Sequence, residues 1–420
     1  MSKPATTTDV LARTARWAVE CADCIAFLRS LPDASIHCCM TSPPYFGLRD
    51  YGVTGQIGLE TSPAKFVAKL VAVFEELRRA LHPSGTLWLN MGDSYNARAG
   101  QRKPTDMAGA KQRTNTASCG VGSRFVPEVK PKDLLGIPWL LAFALRDAGW
   151  YLRSDIIWHK PSAMPSSVRD RCTTAHEYLF MLAKSPRYYF DAEAIAEKAK
   201  TAGKPIKMAD GWDTGLGGHG AFHCDGREAG TSTGAIQAAT RNKRSVWRIT
   251  SRGYKGAHFA TFPKKLVEPC ILAGTSAKGV CPECGAPWTR KVKRVRAATR
   301  PGTNTKVAAE AMRLPSEEPG RAPGAARFEK STLMGIIGNR DPERHCTTTE
   351  TVGWYPGCKC DAGEPVPAIV CDPFTGSGTV AAVAVGFGRR FVGSELNPAY
   401  HELIRRRMST VTPAMPGIEE

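Results

Sequence analysis

Apolar residues Phe66, Leu70, Phe74, Leu77 and Leu81 recur at three- to four-residue spacing, which predicts a helix over 64–81 closed by Pro83-Ser84-Gly85. A shorter amphipathic helix is predicted over 23–31, stopped by Pro32 and Asp33. The apolar stretches 35–40 and 86–90 read as buried strands. Further along, 134–149 reads as helix, 151–159 and 174–184 as strand, and 262–272 as helix. The C-terminal part repeats the alternation: strand 369–374, helix 379–386, strand 390–395 and helix 400–408. Strands alternating with helices predict an α/β layer architecture. Residues 1–19 show no such pattern and read as a flexible lead, and 411–420 as a flexible tail. The polar stretch 96–122 reads as a mobile loop.

The interruptions divide the chain. Residues 20–199 form a first part of the core, and 200–260 change character to glycine-rich and then basic sequence. Residues 261–279 return to the core, 280–362 are an insertion with an Ala/Gly/Pro-rich middle, and 363–410 complete the core. The chain has 420 residues, 42% of them hydrophobic, which excludes a wholly disordered protein. Lys and Arg number 57 against 39 Asp and Glu, a formal charge of +18 that favours a polyanionic partner, nucleic acid first. No apolar run is long enough to span a bilayer, and residues 1–17 carry no apolar signal segment, so a cytoplasmic protein is expected.

Chemistry concentrates at two strand ends. The run from Val370 to Thr379 carries an apolar strand into a turn with Gly376 and Gly378 and then into a helix. The glycines allow close backbone approach to a ligand. Asp372 at that strand end can accept a hydrogen bond from a cationic amine, and Glu395 after the next strand can hold two ribose hydroxyls. Together they predict an adenosine-containing cofactor. No Lys-Ser/Thr ending of a triphosphate-binding loop follows. The second strand end carries Ser42-Pro43-Pro44-Tyr45. Ser42 Oγ and the Pro43 carbonyl can each accept a hydrogen bond from a planar amine, and proline torsions hold them rigid. Tyr45 can stack on a base removed from a duplex.

These two segments, in this order, resemble the DNA amino-methyltransferases of the cytosine-N4 and adenine-N6 class. Ser42-Pro43-Pro44-Tyr45 resembles the family's catalytic tetrad, and Asp372-Pro373-Phe374 with Gly376 and Gly378 its S-adenosylmethionine turn. Further matches are Gly92-Asp93, Trp158-His159-Lys160-Pro161, Ala175-His176-Glu177-Tyr178 and the Phe259–Pro263 segment, and the resemblance covers about 20–270 and 365–408. It implies a Rossmann-like methyltransferase sheet in the circularly permuted beta-class order, with an inserted target-recognition region. It also implies that Asp372 contacts the cofactor's methionine amine, Glu395 its ribose, and that Phe374, Asp23 and the helix start at Thr379 line the same pocket. A bacterial or phage-encoded enzyme acting on double-stranded DNA is implied, as a homodimer, with room for a separate restriction endonuclease. Ser42 tilts the target toward cytosine N4, with adenine N6 as the alternative. A non-catalytic DNA-binding protein on the same scaffold, or an RNA or protein methyltransferase, are the competing readings.

Arg241, Lys243, Arg244, Arg248 and Arg252 around Trp247 form a basic stretch suited to phosphate contact. Of the 14 cysteines, Cys281, Cys284, Cys358 and Cys360 sit in polar, turn-rich sequence and suggest a structural zinc site, in which Cys346 or His345 could replace one member, the competing reading being four unmetalled thiols.

Overall fold

The computed structural model describes residues 4–48, 52–96, 125–163, 165–166, 168–198, 240–251, 262–296, 347–361 and 363–412. The loop expected at 96–122 (beyond Asn96), the glycine-rich stretch 201–234, Arg252, the middle of the 280–362 insertion and the tail from 413 lie outside them. Two compact units emerge. One comprises Met1–Ile195, Arg244–Arg290 and Trp354–Glu420; the other Ala196–Lys243 and Lys291–Gly353.

In the first unit, eight strands form one sheet. They are β1 (Trp17–Glu20), β2 (Ile36–Thr41), β3 (Leu81–Met91), β4 (Tyr151–His159), β5 (His176–Ala183), β8 (Val246–Arg248), β11 (Ile369–Asp372) and β12 (Arg390–Ser394). Their order is β1-β12-β11-β2-β3-β5-β4-β8. Every neighbouring pair is parallel except those made by β5, which runs against both β3 and β4. The start of β5 therefore lies at the same edge of the sheet as the carboxyl ends of the other strands.

Alternation along the strands gives each face its own core. On one face Cys39, Leu87, Leu89, Phe180 and Leu182 pack with α2 (Cys24–Ser30), α3 (Pro63–Ala80) and α4 (Ile137–Asp147). On the other, Cys38, Met40, Trp88, Leu179 and Met181 pack with α5 (Lys264–Gly274), α6 (Thr379–Gly386) and α7 (Pro398–Met408). The helix starts carry local signals: Ser62 caps α3 and Asn397 caps α7, each followed by a proline in the first turn. Helix α6 is apolar on all sides because all of Thr379 to Val385 is buried.

Two sequence expectations change. Residues 1–19 are not a featureless lead. Thr6 closes a capping box on α1 (Thr7–Leu11), and β1 pairs along β12 from Trp17 to Glu20. Pro83-Ser84-Gly85 does not simply end the preceding helix. The register jumps from Ile36 opposite Leu81 to Cys38 opposite Thr86, so these residues fill an irregularity inside β3. The Ser84 carbonyl there accepts from the Tyr189 amide.

In the second unit, β6 (Glu197–Lys198) pairs antiparallel with β7 (Thr240–Arg241). The strands β9 (Thr289–Arg296) and β10 (Thr347–Tyr355), which belong to this unit from Lys291 and up to Gly353, form a separate two-stranded sheet.

Candidate active site

At the carboxyl edge of the main sheet lies a cavity of about 350 Å³. Ser42, Pro43, Pro44 and Tyr45 form one wall, directly after β2. Phe374, Gly376, Thr379 and Glu395 form another, from the ends of β11 and β12. Segments more than 300 residues apart thus share one cavity because β2 and β11 are adjacent parallel strands.

The glycine turn is shaped as expected. Gly376 and Gly378 have φ of 54° and 76°, left-handed values that a side chain disfavours, and Gly378 starts α6. Glu395 stabilises the turn. Its Oε2 accepts from the Gly376 amide at 2.8 Å and its Oε1 from the Asn397 amide at 2.8 Å. Burial raises its pKa, against those two hydrogen bonds. Each oxygen keeps acceptor capacity toward the cavity. Asp23 lines the cavity too, while its Oδ1 caps α2 by accepting from the Ile25 and Ala26 amides.

Asp372 sits beneath this wall and is not among the lining residues. Its Oδ1 accepts from Thr41 Oγ1 at 2.6 Å and from the Phe374 amide at 3.0 Å. Its Oδ2 is buried with no hydrogen-bond partner. Burial pushes its carboxyl up to about 7, against the Thr41 and Phe374 hydrogen bonds. A buried orphan acceptor beside a glycine turn, with a second carboxylate on the next strand, fits a ligand that brings both a cationic amine and a diol.

The tetrad contains a contact set that sequence reading did not assign. The Tyr45 hydroxyl donates to Glu177 Oε2 at 2.7 Å and lies 3.3 Å from Asn90 Oδ1. Asn90 Nδ2 donates to the same Glu177 oxygen at 3.2 Å, and Lys160 Nζ pairs with Glu177 Oε1. Lys160 also lies 4.3 Å over the Trp158 ring. Asn90, Trp158, Lys160 and Glu177 all line the cavity. Burial, then the Glu177 charge, raises the Tyr45 pKa well above its ordinary value, so the phenol stays protonated. The Tyr45 ring lies over Gly92, where an added Cβ would meet Cε2 at 2.6 Å.

A profile of the N6/N4 DNA methylase family matches residues 36–281 and 363–406, most of the chain. The chain belongs to that family. It is therefore a DNA methylase that uses S-adenosylmethionine. It is 45% identical over 255 residues to the type II methyltransferase M.Cfr9I of Citrobacter freundii, spanning 60% of this chain and 71% of that one. It is 41% identical over 253 residues to M.SmaI of Serratia marcescens, spanning 60% and 73%. Among solved structures it is similar to the PvuII cytosine-N4-specific DNA methyltransferase, at 14% identity and a TM-score of 0.48 over 96% of this chain and 89% of that one.

The basic stretch of the methylase divides between the two units. Arg241 and Lys243 face Glu197 at 3.4 and 3.8 Å in the second unit. Arg244 and Arg248 are exposed in the first. Trp247 departs from the expectation of a DNA contact. It is 4% exposed in β8, packs in the core, and its Nε1 donates to the Arg244 carbonyl at 2.7 Å. No described helix is long and apolar enough to cross a membrane.

The four cysteines of the methylase meet as the sequence suggested. The sulfurs of Cys281, Cys284, Cys358 and Cys360 lie within 4.8 Å of one another, a spread that a tetrahedral ion with bonds of about 2.3 Å can gather. Hydrogen bonds from the Cys284 and Glu283 backbone and from neighbouring thiols overcome burial and bring the Cys281 thiol down to about 7. The knuckle rests on the opposite edge of the sheet from the cavity. His82 Nε2 contacts the Cys284 carbonyl at 3.2 Å and stacks on His37, whose centroid is 5.9 Å away. His37 is the second residue of β2 and Ser42 follows its end, so the cluster is on the order of 17 Å from the tetrad along the strand.

Proposed function

We propose that this methylase is a site-specific, type II-like DNA methyltransferase that modifies the N4 amine of cytosine in duplex DNA. The observation that carries this reading is the meeting of Ser42-Pro43-Pro44-Tyr45 with Phe374, Gly376, Thr379 and Glu395 at one cavity. The type II names of M.Cfr9I and M.SmaI support site-specific action. Ser42 in place of an acidic residue favours cytosine over adenine.

S-adenosylmethionine supplies a methyl group already activated on a sulfonium. The chain's own task is to hold, orient and exclude water. Glu395 accepts the ribose hydroxyls, while the backbone of the Gly376–Gly378 turn lies against the bound cofactor. Asp372 Oδ2 offers its unused acceptor to the amine. Phe374, Asp23 and Thr379 complete the walls. Ser42 Oγ and the Pro43 carbonyl accept the two hydrogens of the cytosine amine, which aims the nitrogen lone pair. Pro44 keeps that segment extended, and Tyr45 supports the extruded ring. Arg244 and Arg248, with Arg241 and Lys243, serve the phosphate backbone. A homodimer, a cytoplasmic setting and a separate endonuclease partner belong to the same reading.

The Cys281, Cys284, Cys358 and Cys360 cluster holds a structural zinc. Four protein ligands leave no open position for catalysis, and the cluster stands at the far edge of the sheet.

Nucleoside digestion of duplex DNA treated with the purified enzyme tests the target. Mass spectrometry is expected to find N4-methylcytosine. N6-methyladenine alone would move the target base while keeping the amino-methyltransferase reading.

A further inference from the structure

We propose that Glu177, held by Lys160, is the positioning residue that fixes Tyr45 for the target base. The inference rests on the role given to Tyr45 above.

Every polar contact described for the Glu177 carboxylate comes from a residue that lines the cavity. Oε2 takes the Tyr45 hydroxyl at 2.7 Å and the Asn90 amide at 3.2 Å, and Oε1 takes Lys160. A carboxylate accepts on both oxygens, whereas a carboxamide presents an oxygen on one side and donors on the other. The side chain thus offers an acceptor to both sides at once, with the Lys160 ammonium on one and the Tyr45 and Asn90 donors on the other. Asn90 is itself tied down by the Tyr178 carbonyl at 3.1 Å, so the carboxylate cannot swing with the tyrosine. The ring is restrained at its other side by Gly92, where no side chain fits. Tyr45 is thus gripped at the hydroxyl and along the ring.

The topology explains how Glu177 arrives there. Because β5 is antiparallel, its second residue lies at the carboxyl edge, with Tyr178 opposite Met91 and Glu177 opposite Trp158. Stability gives little reason for the arrangement. The Lys160 and Glu177 side chains are only 22% and 17% exposed, and such ion pairs are often replaceable by apolar residues without loss. Orientation of a residue at the cavity wall gives a reason for keeping it.

The test uses the full-length enzyme, unmethylated bacterial genomic DNA and radiolabelled methyl donor. Glu177→Gln, Lys160→Met, Tyr45→Phe and Tyr45→Ala are compared, with the Glu177→Gln/Tyr45→Phe double variant. Glu177→Gln is expected to lower the single-turnover methyl-transfer rate by about tenfold or more while cofactor affinity is unchanged. In the Tyr45→Phe background, which lacks the hydroxyl, the same substitution is expected to cost at most about threefold further, the mark of a shared interaction. Fully additive effects, or an undiminished rate in Glu177→Gln, would overturn the proposal. Should Glu177→Gln fold poorly, Lys160→Met decides in the same way, by its rate with and without Tyr45→Phe. A rate retained in Tyr45→Ala would instead remove the role of Tyr45 itself and with it the reading on which this one rests.

Discussion

Thr41 Oγ1 donates a 2.6 Å hydrogen bond to Asp372 Oδ1 across a sequence separation of 331 residues. Thr41 immediately precedes the tetrad and Asp372 opens the cofactor turn, so one bond joins the catalytic and cofactor strands at their shared edge. Both groups are buried, which leaves the carboxylate without water and raises its pKa to about 7.

That shift predicts a pH dependence. The folded protein holds the Asp372 proton to a higher pH than the unfolded chain, whose carboxyl titrates near 3.8. Between these values the native state binds more protons, so this group's contribution falls as pH rises from about 4 to about 7 and is level above. Asp372→Asn removes the titration. In cofactor-free denaturant unfolding, wild type should therefore lose stability relative to Asp372→Asn across that range. A constant difference between the two at pH 5 and pH 8 would refute the assignment.

Glu395→Ala should weaken S-adenosylmethionine binding on the order of tenfold or more, since hydrogen bonds to a charged group are worth about 1.5–3 kcal/mol. The variant also frees the Gly376 and Asn397 amides from their acceptor. Calorimetric titration alongside a melting curve separates the two effects. Unchanged affinity in folded protein would rule out the ribose role.

Tyr45→Ala should slow methyl transfer by about 100-fold while cofactor binding changes little, because a small misplacement of the base spoils attack geometry. Ser42→Ala should slow it less, as the Pro43 carbonyl remains an acceptor. Rapid-quench measurement of a single turnover, paired with cofactor titration, reads both. An equal loss of rate and of cofactor affinity would place Tyr45 in the cofactor site instead.

Gly92→Ala places a methyl 2.6 Å from the Tyr45 ring. The ring must move, so the rate should fall toward that of Tyr45→Ala with cofactor affinity retained. Wild-type turnover in this variant would show that the ring position is not critical.

Enzyme purified without a metal-affinity tag should contain one zinc per chain by elemental analysis. Cys281→Ser should lose the metal and melt at a lower temperature, with activity lost only secondarily. Well-folded, reduced protein lacking stoichiometric zinc would leave the four cysteines as unmetalled thiols.

Where local sequence carries the signal, sequence and structure coincide. The strand over 151–159 and the helix over 379–386 have the bounds their apolar patterns predict. The tetrad and the glycine turn were legible because each lies within ten contiguous residues. The four cysteines were legible because turn-rich sequence left them little to do in a core. β1 and α1 were missed because four and five residues are too few to show a period. Trp247 looked like part of a basic nucleic-acid patch, since nothing local announces that β8 joins the main sheet beside β4. In the sequence, Glu177 and Lys160 are family matches without a role. Their meeting with Tyr45 depends on the direction of β5, which no local pattern reveals.

The place of β1 at the edge of the sheet bears on how the molecule is made. Its partner is β12, so a strand ending at Glu20 waits for one that begins at Arg390 before it can pair. β2 likewise takes β11 on one side. Until about residue 394 has emerged, the nascent chain carries the tetrad on a sheet that lacks its centre. Such distant pairings are slow to form and leave strand edges open meanwhile. Ending the chain before β11 would thus remove more than the cofactor turn: it would leave β1 without its partner β12 and expose an aggregation-prone edge.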